Sequence, residues 1–316
     1  MDLSLFFAGT AGSVPTPRRG LPALLLRAGG ERILFDCGEG TQHQLLRSNV
    51  GLPDVDAIFI THLHLDHWLG LPGMIKTFEM RDRERRLDVF GPPGLTALFN
   101  QVLRPIIGRT KYPLDVVELD HHEEVRWDDF VIASFPVNHR VEAYGYAFIE
   151  HDRPGRFDVE AARALGVTEG PDFGRLQRGE TVNGVTPEQV VGEDRPGRRI
   201  VYTGDTAPVQ SVEVYAHGAE VLVHEATFLE DDRVRARETG HSTAAQAARV
   251  AKEAGVKLLA LTHLSTRYFP RDIRNEARDI FENTVVPRDF DTIEIPFPER
   301  GDPHLVKAEL PEPATS

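Results

Sequence analysis

The sequence predicts an α/β protein in which two mixed β-sheets pack face to face with helices on their outer sides. Three observations lead there. Strand-length apolar runs alternate with helical stretches in both halves of the chain. Four of those runs end in a histidine or an aspartate, the position where α/β proteins build their sites. Two strand ends, AIFITHLH (57–64) and LLALTHLS (258–265), both close on Thr-His-Leu, one in each half.

Taken in order, alternating or continuous apolar residues predict strands over 3–7, 23–27 and 32–36, a helix over 41–48 and a strand over 55–60. A helix follows over 71–80. Strands are expected over 87–90, 114–119 and 130–137, with a helix over 95–103 between the first two, and another strand over 144–150. After an irregular stretch come a strand over 199–202, a helix over 210–216 and a strand over 220–224. The small-residue helix over 243–254 begins at Ser242 or Thr243, whose hydroxyl can accept a first-turn N–H, and stops at Gly255, which tolerates the left-handed cap. A strand over 256–261 and a helix over 271–283 close the predicted fold. The proline-rich acidic tail after Arg300 is expected to be loose.

Composition narrows the function classes. Hydrophobic residues make up 41% and charged residues 27%, ordinary for a globular protein of 316 residues. The first residues, MDLSLFFAGTAGS, carry an acid where a secretory leader carries positive charge, and their apolar run is too short to span a bilayer, so a cytoplasmic location without membrane contact is expected. Cys37 is the sole cysteine and reads as a small core residue; it excludes an intrachain disulfide and leaves metal binding to His, Asp and Glu. A net charge of −13 disfavours a nucleic-acid partner, since phosphate neutralisation usually calls for a basic patch. Arginine, however, supplies 31 of the 36 basic residues, and its planar fork suits bidentate phosphate contacts in local clusters.

The stretch THLHLDHWLGLPG (61–73) crowds three histidines and an aspartate into six positions. Such a cluster of half-buried polar groups is costly unless it holds a cation. In extended chain His62, His64 and Asp66 point to one side and His67 elsewhere, so one pair can chelate one ion while Asp66 and His67 serve a neighbour. Beyond it, VNHRVEAYGY places His139 just past a strand, and VYTGDTAP does the same for Asp205. Alone, His139 reads as an exposed loop residue and Asp205 as the turn residue that Gly204 and Thr206 imply. Together with His62 and His263 they make four strand ends bearing ligand types.

THLHLDH with the later GDT, HEATF, GHST and LTHLSTRY segments resembles the metallo-β-lactamase superfamily, and within it the ribonuclease Z family that matures transfer-RNA 3′ ends. THLHLDH identifies the superfamily alone; HEATF, GHST and STRY in that order are more specific. The resemblance implies the metallo-β-lactamase fold, an αβ/βα four-layer sandwich, as a single domain over 1–316 with an inserted arm at about 152–198. It implies two zinc ions, with manganese the other candidate: His62, His64 and His139 hold one, Asp66, His67 and His263 the second, and Asp205 bridges them. Such a pair activates water as a nucleophile toward phosphorus and stabilises charge on the phosphoryl oxygens. Asp66 then acts as general base. His241 is the proton donor to the departing 3′ oxygen and Glu225 its orienting partner; as plain structure, Glu225 is a salt-bridge partner and His241 a helix-end residue. Asp36 reads as a carboxylate holding a histidine ring and His224 as a buried residue.

The irregular stretch 152–199 carries eight arginines and nine acids. It is too long for an ordinary connection. It resembles the ribonuclease Z arm that grips the transfer-RNA elbow, with Gly170 and Pro171 in its Gly-Pro segment, although its charge balance departs from a strongly basic clamp. The loop from Gly12 to Arg19 fits a phosphate cradle using Arg18 and Arg19. Gly20 stands where the family usually has asparagine, which bears on cleavage position. Arg267 and Tyr268 are candidates to hold the acceptor end by phosphate pairing and base stacking. The implied substrate is precursor transfer RNA and the implied assembly a homodimer. Two other readings use the same residues: a phosphodiesterase of small or cyclic substrates, which needs no long arm, and a non-catalytic RNA-binding scaffold, which needs no metal.

Overall fold

The structure, a computed structural model, describes residues 1–52 and 54–309; the end of the acidic tail, 310–316, lies outside the described residues. The strands are β1 (Leu3–Gly9), β2 (Ala23–Ala28), β3 (Glu31–Phe35), β4 (Ala57–Phe59), β5 (Leu87–Gly91), β6 (Leu114–Glu118), β7 (Glu124–Arg126) and β8 (Phe130–Pro136). They continue as β9 (Tyr144–Glu150), β10 (Arg199–Tyr202), β11 (Val221–Glu225), β12 (Leu258–Thr262), β13 (Thr284–Val285), β14 (Thr292–Glu294) and β15 (His304–Val306). One sheet has eight strands in the order β15-β14-β1-β2-β3-β4-β5-β6, the other seven in the order β13-β12-β11-β10-β9-β8-β7. The first is mixed: β1 to β3 pair antiparallel and β3 to β6 parallel. In the second, β10 to β13 run parallel.

The chain divides into two compact units. Among the described residues the larger covers 1–125, 132–148 and 199–309, and strands of the two sheets meet within it. Every residue of β1 is buried, which is why its LSLFFAG reads as a nearly unbroken apolar run. Phe35 and Phe59 meet Tyr146 at 5.9 and 5.1 Å between ring centroids. Both tyrosines facing this layer spend their hydroxyls across it: Tyr146 donates to the Ile60 carbonyl and Tyr202 to Asp36, so neither leaves a buried polar atom unmatched.

Helices lie between the strands in chain order. They are α1 (Thr41–Arg47), α2 (Leu65–Trp68), α3 (Leu71–Met80), α4 (Leu95–Leu98), α5 (Arg104–Ile107), α6 (Val159–Ala164), α7 (Pro171–Gln177), α8 (Gln210–Ala216), α9 (Arg233–Thr239), α10 (Ala244–Ala254) and α11 (Pro270–Arg278). In α10, Thr243 and Gln246 form a reciprocal cap, the alanines and Val250 bury one face, and Gly255 ends it at φ 65°. Among the described residues no helix is long and apolar enough to cross a membrane.

The smaller unit, Arg126–Val131 and Ile149–Arg198, takes up the stretch read as irregular. It holds α6 and α7, and its apolar residues, too sparse for a clear period, gather into a cluster of Ala162, Val167, Leu176, Val182, Val185 and Val190 with Phe157 and Phe173 against it. At its base the buried Arg198 guanidinium forks onto Glu150, with both donor distances 2.7 Å.

Several predicted elements are corrected. The last helix ends at Arg278, not at 283, and three short strands follow it; these have too few residues to show a period and are defined by pairing alone. The tail after Arg300 is not loose throughout, because β15 pairs antiparallel with β14. The helix predicted over 95–103 is α4, a π-helical turn at Phe99–Leu103 and α5. The extended alternation that put His62, His64 and Asp66 on one side stops at His64, where α2 begins.

Candidate metal centre

All the ligand-type side chains of the strand ends lie in the larger unit. His62 and His64 follow β4, Asp66 and His67 occupy the single turn of α2, His139 follows β8, Asp205 follows β10, and His263 directly follows β12. Their ligand atoms fall into two main groups within which all lie inside 4.8 Å of one another, His62, His64, His139 and Asp205, and Asp66, His67 and His263, while Asp205 and His263 form a third such set with His241. Asp205 faces both groups. Its Oδ2 is 3.7 Å from His62 Nε2 and 3.5 Å from His67 Nε2, and its Oδ1 is 3.3 Å from His263 Nε2. Asp66 Oδ2 stands 3.6 Å from both His67 Nε2 and His263 Nε2.

Hydrogen bonds behind the rings decide which nitrogen points inward. Asp36 Oδ2 takes the Nδ1 proton of His67 at 2.8 Å, and the Gly240 carbonyl takes that of His139 at 2.7 Å. The Thr227 hydroxyl has one proton and gives it to the Glu225 carboxylate at 2.6 Å, so toward His263 Nδ1, 2.8 Å away, it must accept. By the same reasoning Thr61 donates to Asp36 and accepts from His62 Nδ1. Four imidazoles thereby turn Nε2 toward the centre, leaving that nitrogen as the one to bind a cation. His64 differs: its Nδ1 faces His62 Nε2 at 2.9 Å and His139 Nε2 at 3.3 Å.

Electrostatics follow. Burial and the charge of neighbouring His67 push His62 well below the usual imidazole range, and burial likewise lowers His64 and His139. Burial would raise the carboxyls of Asp66 and Asp205, but the facing histidines outweigh it and hold both well below the carboxylate range. For His67, burial is outweighed by Asp36 and Asp205, which raise it. The buried atoms His67 Nε2, Asp205 Oδ1 and His263 Nε2 have no hydrogen-bond partner. Three such buried polar atoms within one cluster of imidazoles and carboxylates are costly alone and are satisfied by a divalent cation, so the residues fit a metal.

Beside this centre, His241 Nδ1 lies 2.7 Å from Glu225 Oε1. Glu225 is fully buried and also accepts from the Thr206 and Thr227 amides. Burial opposes a charged His241, yet Glu225 and then Asp205 outweigh it and raise the imidazole to about 9. The loop after β1 closes the other side. Ser13 N–H donates to Asp66 Oδ2 at 3.0 Å, and a Cβ on Gly12 would sit 2.6 Å from His263 Nδ1, so only glycine lets the backbone approach so closely.

The family described as "Beta-lactamase superfamily domain" matches residues 31–264. Ribonuclease Z of Natronomonas pharaonis is 47% identical over 308 residues, covering 95% of this chain and all of that protein. Ribonuclease Z of Myxococcus xanthus is 44% identical over 303 residues, covering 93% and 98%. The chain belongs to the ribonuclease Z family. Its fold is the metallo-β-lactamase fold: the crystal structure of the short form of human tRNase Z superposes with a TM-score of 0.68 at 27% identity, covering 93% of this chain and 99% of that one. The metallo-β-lactamase fold protein YhfI from Bacillus subtilis shares the fold at a TM-score of 0.69 and 20% identity, over 93% and 100%.

Against this family background, the other sequence-predicted residues scatter. Arg18 is exposed on the loop after β1. Arg19 instead turns back, donating to the Thr10 hydroxyl and, at 3.0 Å, to the Pro287 carbonyl. Arg267 is exposed; Tyr268 is half-buried, its hydroxyl bonded to Asp232. Gly170 and Pro171 are exposed at the start of α7, in the smaller unit. Around them Arg163 and Arg175 are matched by Glu160, Glu169, Asp172 and Glu180. His224 is buried, as read. Sequence reasoning missed Thr227, although HEATF shows it: a hydroxyl two positions after Glu225 on a strand end falls on the same side as that carboxylate. It also missed Thr61 and Tyr202, which nothing in the chain order ties to Asp36.

Proposed function

We propose that this chain cleaves the 3′ trailer from precursor transfer RNA by hydrolysing one phosphodiester, leaving a 3′-hydroxyl on the transfer RNA and a 5′-phosphate on the trailer. One observation carries it: in a ribonuclease Z family chain, two converging donor groups share Asp205 next to a Glu225–His241 pair. His62, His64 and His139 would hold one divalent ion, Asp66, His67 and His263 the other, with Asp205 between them. Zinc is our assignment, with manganese the alternative, because imidazole and carboxylate donors serve both. Bound there, such ions supply Lewis-acid polarisation of the phosphate and a lowered pKa for water.

The chain's own residues do the rest. Asp66 remains ionised and accepts the proton of the attacking water. His241, charged through its bond to Glu225, gives its Nε2 proton to the 3′ oxygen as the P–O3′ bond breaks. Arg18, Arg267 and Tyr268 lie on exposed or half-exposed loops suited to phosphate and base contact, while Arg19 serves mainly to hold its loop. The smaller unit is the arm, and Gly170–Pro171 its contact with the transfer-RNA elbow. We further read the chain as one domain carrying that arm, as a homodimer in which one subunit's arm serves its partner's site, and as cytoplasmic; the family resemblance supports these.

Incubation with a 3′-extended transfer-RNA precursor, with and without chelator, tests the reaction: a single metal-dependent cut at the trailer boundary is expected, and an intact precursor would refute it. Deleting 153–198 should abolish that cut and spare bis(p-nitrophenyl) phosphate hydrolysis. Equal loss on both substrates would overturn the arm's role.

A further inference from the structure

Beneath the loop that joins β1 to β2 lies a buried carboxylate outside the metal centre. Asp289, 6% exposed, comes from the turn between β13 and β14. Its Oδ1 accepts from the Thr10 hydroxyl at 2.6 Å, and its Oδ2 accepts from the Gly20 amide at 2.6 Å and Gln44 Nε2 at 2.5 Å. One side chain therefore ties both stems of the loop to each other and to α1. The turn that carries it is strained: Phe290 has φ 76°, a region bulky side chains avoid, and is kept there by its amide bond to the Phe7 carbonyl at 2.7 Å.

The two stems differ in what else holds them. The inner stem is stitched to the His263 segment, with Leu264 N–H on the Thr10 carbonyl at 3.0 Å and Gly12 N–H on the Leu264 carbonyl at 3.1 Å. Among the described residues the outer stem, which carries exposed Arg18, is held by short-range turn bonds at Thr16, the Ala11–Gly20 bond, the Arg19 contacts and the Asp289 anchor. Gln44 completes that anchor by occupying the space above Gly20: a Cβ there would lie 2.8 Å from Gln44 Nε2 and 3.0 Å from its Cγ and Cδ. A side chain at 20 would push the Gln44 amide away from Asp289, so Gly20 and Gln44 form a matched pair.

We infer that Asp289, with Gln44 as its partner, is a positioning residue that sets the outer stem of the 10–20 loop over the scissile phosphate and so fixes where the RNA is cut. The inference rests on the proposed reaction. Loss of the anchor frees the outer stem while the inner stem still delivers Ser13 N–H to Asp66, so RNA placement should suffer more than the chemistry.

The test compares wild type, Asp289→Ala, Asp289→Asn, Gly20→Ala and Gly20→Ala with Gln44→Ala. Precursor transfer RNA and bis(p-nitrophenyl) phosphate serve as substrates, with cuts mapped to the nucleotide. Asp289→Ala should raise KM for the precursor about tenfold and spread the cut over adjacent nucleotides, while ester kcat stays within about threefold of wild type. Asp289→Asn keeps an acceptor for Gly20 and can donate to Thr10, so it should restore a single cut. Gly20→Ala should mimic Asp289→Ala, and adding Gln44→Ala should recover most of the loss; this pair decides the matter if Asp289→Ala does not fold. A single wild-type cut in both Asp289→Ala and Gly20→Ala, with any loss equal on the two substrates, overturns the inference. Failure of the wild type to cut the precursor would instead defeat the underlying reaction.

Discussion

The Thr227 hydroxyl makes the sharpest test of how the centre is held. It is buried, donates to Glu225 Oε2 at 2.6 Å and accepts from His263 Nδ1 at 2.8 Å, so it fixes the tautomer of one ring and completes the shell of one carboxylate. Thr227→Val keeps the shape and removes both bonds. A hydrogen bond to a charged group contributes about 1.5–3 kcal/mol, and Glu225 retains two amide donors, so the lower end applies to that partner. His263 loses the hydroxyl that accepts from its Nδ1 and can rotate or change tautomer, and loss of such a ring-orienting bond costs about 10–100-fold in metal affinity or activity. Tenfold is about 1.4 kcal/mol, which agrees with the lower estimate for the bond itself. The assay is metal content after dialysis against graded chelator, with kcat/KM on precursor in the same samples. Thr227→Ser should stay near wild type. Metal retention and kcat/KM within about twofold of wild type in Thr227→Val would show that the hydroxyl does not set the His263 ring, and the reasoning about ring orientation would fail with it.

Other outcomes follow from the same geometry. His241→Ala should lower kcat on precursor by about 10²–10⁴ yet barely affect p-nitrophenyl esters, whose leaving group needs no proton; equal losses would refute the donor role. Removing the Arg198 guanidinium leaves buried Glu150 without its countercharge and with one backbone N–H donor, so Arg198→Ala should destabilise the smaller unit by about 3 kcal/mol, seen as faster proteolysis within 149–198 with ester hydrolysis retained. Burial raises the Glu150 carboxyl, but Arg198 more than offsets this and lowers it, so its stabilising contribution is full above the unfolded carboxyl range and disappears as pH falls through the lowered folded value. Acid unfolding of that unit should therefore lose its steepness in Glu150→Gln, measured by hydrogen exchange across the acidic range.

Much of the centre was legible because strands end where ligands begin. Apolar runs of the right length located β4, β8, β10 and β12, and the residues after them were of ligand type. Periodicity failed where an element is too short to have a period, as in α2 and β13 to β15, or where apolar residues serve a small local cluster, as in the smaller unit. Asp36 could be read as a ring holder from its place after a strand, and it lies 2.8 Å from His67 Nδ1.

By itself the chain order determined the α/β class and the donor chemistry, since hydrophobic period and residue type are local properties. Which nitrogen each ring presents, that Thr227 joins Glu225 to His263, and that Asp289 meets Thr10 and Gly20 across more than 250 positions were decided only by the tertiary structure. Hydrogen bonds act over about 3 Å and are blind to sequence separation, so such partners exist only once packed sheets have brought distant strand ends to one place.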